Sequence, residues 1–167
     1  MEHPLVPREL LAWIEHSTLG VLMRGSGVWA YAVVNLFHIL GVATLFGSIL
    51  ILDLRLLGVW RNVPLASLAR AAVPLARVGF GLAVATGAGL LATNATEYVG
   101  NPFLLIKFPA IALGLANVWL LGRSGAWRAH RTRALTPGEG RQLAALGGVS
   151  LASWLTAVAA GRMIGYW

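Results

Sequence analysis

Two side chains in this sequence carry chemistry that their surroundings do not invite: an imidazole and an ammonium, each set in apolar sequence. His38 stands in Phe37-His38-Ile39-Leu40-Gly41-Val42-Ala43-Thr44-Leu45-Phe46-Gly47-Ser48, a run that continues to Asp53-Leu54-Arg55-Leu56-Leu57-Gly58. Lys107, the only lysine, stands in Leu104-Leu105-Ile106-Lys107. An ionisable residue inside a membrane-length apolar run is costly to bury and marks a functional site by default. Neutral imidazole is the commonest metal ligand, so ligation of haem iron or of a metal ion is the chemistry His38 would serve. A lone intramembrane histidine also serves as a plain hydrogen-bonding partner of a neighbouring Ser, Thr or Asn. Lys107 reads either as a catalytic or propionate-pairing cation, or as an anchor that snorkels outward or pairs with Glu97.

Helices must position these groups. Tyr31, Asn35, His38, Gly41, Thr44 and Ser48 recur at intervals of three or four, so they share one helical face, and a polar or small face in a membrane bundle turns inward. Lys107, Ala110, Gly114 and Asn117 do the same on a later helix. At 1.5 Å rise per residue, His38 lies about 15 Å and Lys107 about 7 Å below the same outer edge. Asn94, Glu97, Arg162 and Met163 are expected near that mouth. A cofactor there would draw on His38, Asn35, Tyr31 and Arg162, and a metal ion on His38 and Met163, with Lys107 as the catalytic group. Arg162 equally reads as an interface residue.

Composition supports the bilayer. Of 167 residues, 57% are hydrophobic and only 11% charged, and the mean hydropathy is +0.73. Soluble domains carry about 25% charged residues. The net charge of +7 does not point to nucleic acid, because the arginines cluster between apolar segments, as the positive-inside rule requires of cytoplasmic loops. With no cysteine, disulfides, thiolate metal sites and covalently attached c-type haem are excluded. The first residues lack a basic start, an apolar stretch and a small-residue cleavage site, so the mature chain is expected to begin near Met1.

The fold class is all-α: a polytopic membrane protein of four transmembrane helices in an antiparallel bundle, preceded by a short interfacial helix. Residues 1–27 form the N-terminal interfacial segment, with one amphipathic helix over about 7–22. Residues 28–167 form the bundle, with helices at about 28–54, 75–95, 102–122 and 143–165. The second is open to extension over 65–73 with a bend at Pro74. Arg55, Arg61, Arg70 and Arg77 follow the first helix, and Arg123, Arg128, Arg131, Arg133 and Arg141 follow the third. Both basic loops are therefore expected in the cytoplasm and both termini outside, in a bacterial-type inner membrane. Gly79, Ala83 and Gly87, and likewise Ser150, Ser153 and Ala157, are spaced to let helices approach closely in lipid. The seven tryptophans are expected mostly at span ends as interfacial anchors. Asp53 and Arg55 read as a structural pair, and His3, His16 and His130 as surface residues. Hydrolase, zinc-protease and phosphate-loop motifs are absent from the sequence.

The order of these features resembles known membrane families. Phe37-His38-Ile39-Leu40-Gly41, then Leu45-Phe46-Gly47 and Leu54-Arg55-Leu56, resembles the first span of HemJ-type protoporphyrinogen oxidases and is similar to the His-Leu-Leu-Gly signature of CopD-type copper-resistance proteins. Thr96-Glu97-Tyr98-Val99-Gly100 followed by Leu104-Leu105-Ile106-Lys107 and Ala116-Asn117 is similar to the third-span region of both. Small uncharacterised four-span families share the same layout. The HemJ resemblance implies that His38 binds b-type haem and that Lys107 is essential. The CopD resemblance implies copper binding or passage. Three readings follow: a haem-binding or redox membrane protein, a copper-handling protein using His38 and Met163, and a structural subunit whose polar face is hydrogen-bonded packing. The partners expected are the lipid bilayer and possible further copies or other membrane subunits, with no nucleic acid.

Overall fold

The computed structural model describes residues 8–167. Two short helices, α1 (Arg8–Glu15) and α2 (Thr18–Gly25), precede the long helices α3 (Gly27–Leu56) and α4 (Leu65–Thr93). A short helical turn at Ala95–Tyr98 leads to α5 (Pro102–Arg123). The small α6 (Gly125–Ala129) then connects to α7 (Pro137–Met163). Among the described residues α3, α4, α5 and α7 are the four helices long and apolar enough to cross a membrane. At 1.5 Å per residue, α3 and α4 are each about 45 Å long, well beyond a hydrocarbon core of about 30 Å.

The helix ends follow local chemistry. Ser17 interrupts the expected single amphipathic helix and caps α2, its hydroxyl accepting from Gly20 N at 3.3 Å. Asn101 caps α5 through Phe103 N at 3.0 Å, with Pro102 at the first helical position, where its missing donor costs nothing. A reciprocal capping box opens α7: Glu139 N donates to Thr136 Oγ1 at 3.3 Å, and Thr136 N donates to Glu139 Oε2 at 2.8 Å. This box starts the helix at Pro137 rather than near residue 143. The stretch 65–73 belongs to α4, so Arg70 and Arg77 are exposed on that helix and not in the preceding loop.

The four long helices alternate in direction. One end of the bundle carries the start of α3 and the end of α7, and the other carries the α3–α4 and α5–α7 connections; these are called the termini end and the loop end. Two hairpins, α3–α4 and α5–α7, join along α3 and α7. In the first, the chains meet backbone to backbone. A Cβ on Gly79 would stand 2.5 Å from Leu45 N and 2.8 Å from Gly41 O, and one on Gly41 would stand 2.8 Å from Ala83 N. Such approach supplies the packing that lipid does not drive hydrophobically. The loop end is filled by Leu52, Leu56, Leu65, Ala69, Ala72, Leu121, Ala126 and Leu143. Trp154 is 4% exposed, and its ring stands edge-on to Phe80 with centroids 6.1 Å apart, so this tryptophan is a core residue and not an interfacial anchor.

The pair α1–α2 is fastened over the termini end. Glu15 Oε2 accepts from Thr96 N at 2.8 Å and from Thr96 Oγ1 at 2.7 Å. Arg24 donates to the Thr93 carbonyl at 2.9 Å and to the Glu15 carbonyl at 2.7 Å. It thereby satisfies a carbonyl left open where α4 ends. Trp13, 72% exposed, and Trp29, 86% exposed, project outward from this region, as interfacial residues do.

Candidate functional site

His38 faces the turn Ala83–Gly87 of α4. Its Nδ1 lies 3.0 Å from the Ala83 carbonyl oxygen and 3.2 Å from Thr86 Oγ1. A carbonyl oxygen only accepts, so Nδ1 carries the proton. The Thr86 hydroxyl gives its own proton to the Leu82 carbonyl at 2.6 Å and therefore also accepts from the ring. These partners assign the Nδ1–H tautomer and leave Nε2 with an uncommitted lone pair, the state in which imidazole ligates a metal.

Space for the ring comes from Gly87. A Cβ there would stand 3.0 Å from His38 Cε1 and 3.3 Å from Nδ1. The stripe Gly79, Ala83, Gly87 therefore does two jobs. Gly79 admits the α3 backbone, whereas Ala83 and Gly87 offer a carbonyl and a hollow to one imidazole.

Lys107 uses a hollow on α7. Its stem lies along Gly161, where a Cβ would stand 3.4 Å from Nζ and 3.5 Å from Cε. No carboxylate pairs with its ammonium among the described residues, where Arg133–Glu139 at 2.6 Å is the ion pair formed; Glu97 does not fill that role. A half-buried histidine of α3 and a half-buried lysine of α5 thus stand on either side of the seam between the two hairpins, the ring against α4 and the lysine stem against α7.

The other expected site residues disperse. Tyr31 is 39% exposed and Asn35 is exposed, both toward the termini end from His38. Tyr31 lies near Tyr98, whose phenol is pushed up by burial and by the neighbouring Tyr31 and Glu97. Arg162 is exposed; it donates to the Tyr166 hydroxyl and lies 4.5 Å over that ring, an arrangement of the helix end rather than of the seam. Met163, 43% exposed, lines an apolar groove between α5 and α7 with Phe103, Ile106, Leu155 and Ala159. The Met163 thioether and the His38 ring therefore sit against different helices. Thr44 and Ser48 line a groove between α3 and α4.

Three further expectations change. Arg55 does not pair with Asp53; its Nε donates to the Val63 carbonyl at 2.7 Å and its Nη2 to the Arg61 carbonyl at 3.3 Å. This strap holds the α3–α4 loop, where Trp60 takes a left-handed conformation at φ 50°. His130 is not a free surface side chain: its ring lies 4.3 Å from that of Trp127, both ring nitrogens are buried, and burial pushes its pKa down. His16 is exposed, and His3 lies outside the described residues.

Sequence reasoning missed Thr86, Gly87 and Gly161 as site residues. A signal was present, because each lies at the level of an intramembrane polar residue on a neighbouring antiparallel helix. Only the pairing of helices says which glycine faces which side chain.

The fold defines a polytopic helical membrane protein, with His38 and Lys107 set within its long helices. The chain belongs to DUF6644, a family of unknown function, whose model matches residues 10–167. No curated protein and no solved structure matches it.

Proposed function

We propose that this protein is a multi-pass inner-membrane protein that binds a b-type haem at His38 and serves membrane redox chemistry. The observation that carries this reading is the fixed tautomer: Nδ1–H is held by Ala83 and Thr86, so Nε2 is free to ligate. His38 would supply one ligand to the iron; Met163, in the groove between α5 and α7, does not stand beside it as a second. Bound haem would supply one-electron transfer. The chain would contribute the neutral imidazole, a hollow at Gly87 that sets the ring plane, and the unpaired Lys107 ammonium for a propionate. Such pairing would offset the cost of holding a lone cation within the spans. Arginine placement favours both termini outside and the loop end in the cytoplasm, since Arg61, Arg70, Arg123, Arg128, Arg131, Arg133 and Arg141 gather there.

The absorption spectrum of detergent-purified protein from haem-replete cells tests the reading. A Soret band is expected in the wild type and lost in His38→Ala, with Lys107→Met weakening haem retention. Colourless protein holding stoichiometric copper that is lost in His38→Ala would replace haem by copper. Colourless, metal-free protein together with normal assembly of His38→Asn would leave the imidazole a packing role and sink the proposal.

A further inference from the structure

At the loop end one acidic side chain has no role in the seam. Asp53 is 3% exposed, and its Oδ2 has no hydrogen-bonding partner among the described residues. The Ser150 hydroxyl of α7 lies beside its carboxyl and is itself buried, at 5% exposure. Gly147, one turn earlier on α7, lets the two helices close: a Cβ there would stand 2.9 Å from Leu56 Cβ and 3.4 Å from the Asp53 carbonyl oxygen. Asp53 is three residues from the end of α3, about 4.5 Å along the axis.

Among the described residues no neighbouring element brings a compensating charge to the carboxyl. On α3, Arg55 is engaged by the Val63 and Arg61 carbonyls. On α4, Leu65, Ala69 and Ala72 face the cluster, while Arg70 and Arg77 are exposed. On α5, Leu121 faces it, and Arg123 lies 4.3 Å over Trp119. On α7, Arg141 is exposed and Glu139 pairs with Arg133. Lys107 and His38 belong to the far end; fifteen residues of α3, about 22 Å, separate His38 from Asp53.

An ionised carboxylate with an empty oxygen in this setting would lose its hydration and gain no counter-charge, a penalty of several kcal/mol. A sodium ion would need about six oxygen ligands, and Asp53 with Ser150 falls far short. One ligand suits a buried carboxyl whose Oδ2 has no partner among the described residues: a proton. We propose that Asp53 is an intramembrane proton-binding site, holding a neutral carboxylic acid beside Ser150. The assignment is independent of what His38 binds.

Asp53 is the only aspartate, so aspartate carrying carbon-13 at its side-chain carboxyl gives a single, self-assigned signal. The protein is reconstituted in liposomes at neutral pH and the resonance is recorded by solid-state NMR. The expected spectrum shows that carbon at the position of a protonated acid, unchanged when choline chloride is replaced by sodium chloride. Ser150→Ala is expected to displace the signal without converting it to a carboxylate. A wild-type signal at the carboxylate position, or one that moves with sodium, overturns the proposal, and neither outcome depends on a variant folding.

Discussion

The two ends of the bundle solve the same problem of polar groups in an apolar bundle in opposite ways. At the loop end, leucine and alanine from five helices close around Asp53 and Ser150. Asn117 is held there by donating to the Leu146 carbonyl at 3.0 Å. At the termini end the helices are held by glycine contacts and hydrogen bonds, and the imidazole and ammonium keep atoms uncommitted. The first arrangement seals polar atoms away, and the second positions them for a ligand. Burial alone would have ranked Asp53 above His38 as a functional group. Available lone pairs and space favour His38 for ligation and leave Asp53 only a proton.

The contrast should break first at the crossing that holds the first hairpin. Gly79→Val is expected to cost about 3 kcal/mol or more, because the clash is with backbone that cannot step aside. The fraction recovered as a folded monodisperse species should collapse, whereas Gly81→Val, with open space around it, should behave like wild type. Equal recovery of both variants would remove the close crossing from the account. At the loop end, Asn117→Leu should lower thermal stability by about 0.5–1.5 kcal/mol, the loss of one buried hydrogen bond, since the Leu146 carbonyl keeps its partner within α7.

At the termini end the matching change should alter chemistry more than stability. Gly87→Ala places a Cβ 3.0 Å from the His38 ring, while removing a mid-helix glycine returns about 0.5–1 kcal/mol. The melting temperature should move little, and the His38 ring resonances or the spectrum of a bound cofactor should shift. Unchanged resonances would mean that Gly87 does not set the ring plane. Gly161→Ala, at 3.4 Å from Lys107 Nζ, is the milder control.

The smallest effects are expected outside the spans, as functions of pH. The Thr96 hydroxyl, then the Thr96 backbone N–H, hold the Glu15 carboxyl below its ordinary value of 4.5. Its folded pKa is depressed, so the docking it provides is complete above pH 4.5 and lost as pH falls through the folded value. Hydrogen exchange of residues 8–25 should rise on acidification in wild type and show no such acid step in Glu15→Gln. His130 has the opposite charge type and the same sign of dependence. Burial favours its neutral form, so stability should decline as pH drops below 6.5, where the unfolded chain takes up the proton first. His130→Leu should flatten that decline in thermal melts.

Much of the fold was legible because membrane helices announce themselves by length and hydropathy. The four spans and the alternation of their direction could be read from residues 28–165 without coordinates. The N-terminal extension of α4 and the early start of α7 were harder to read. Their first turns are polar or proline-bearing, and composition does not separate such turns from loop. The site was legible only in part. His38 and Lys107 stood out as ionisable groups in apolar sequence. Asn35 and Arg162 shared their apparent depth without joining the seam, because a helical wheel gives a face but not its neighbour. Arg24 and Glu15 fasten α2 and α1 to the end of α4 and the turn after it, contacts between segments that no helical pattern displays.

The sequence by itself determined that four helices span, where they lie and which side chains pay to be inside; these follow from hydrophobicity and backbone satisfaction within single helices. Tertiary structure alone decided which hollow receives which side chain: Gly87 for His38, Gly161 for Lys107, Gly114 for Trp154. It also fixed the proton on His38 Nδ1 and left Asp53 Oδ2 without a partner among the described residues. The physical reason is range. Hydrophobic burial is set residue by residue, whereas a hydrogen bond or a ligand site depends on two chains meeting within about 3 Å.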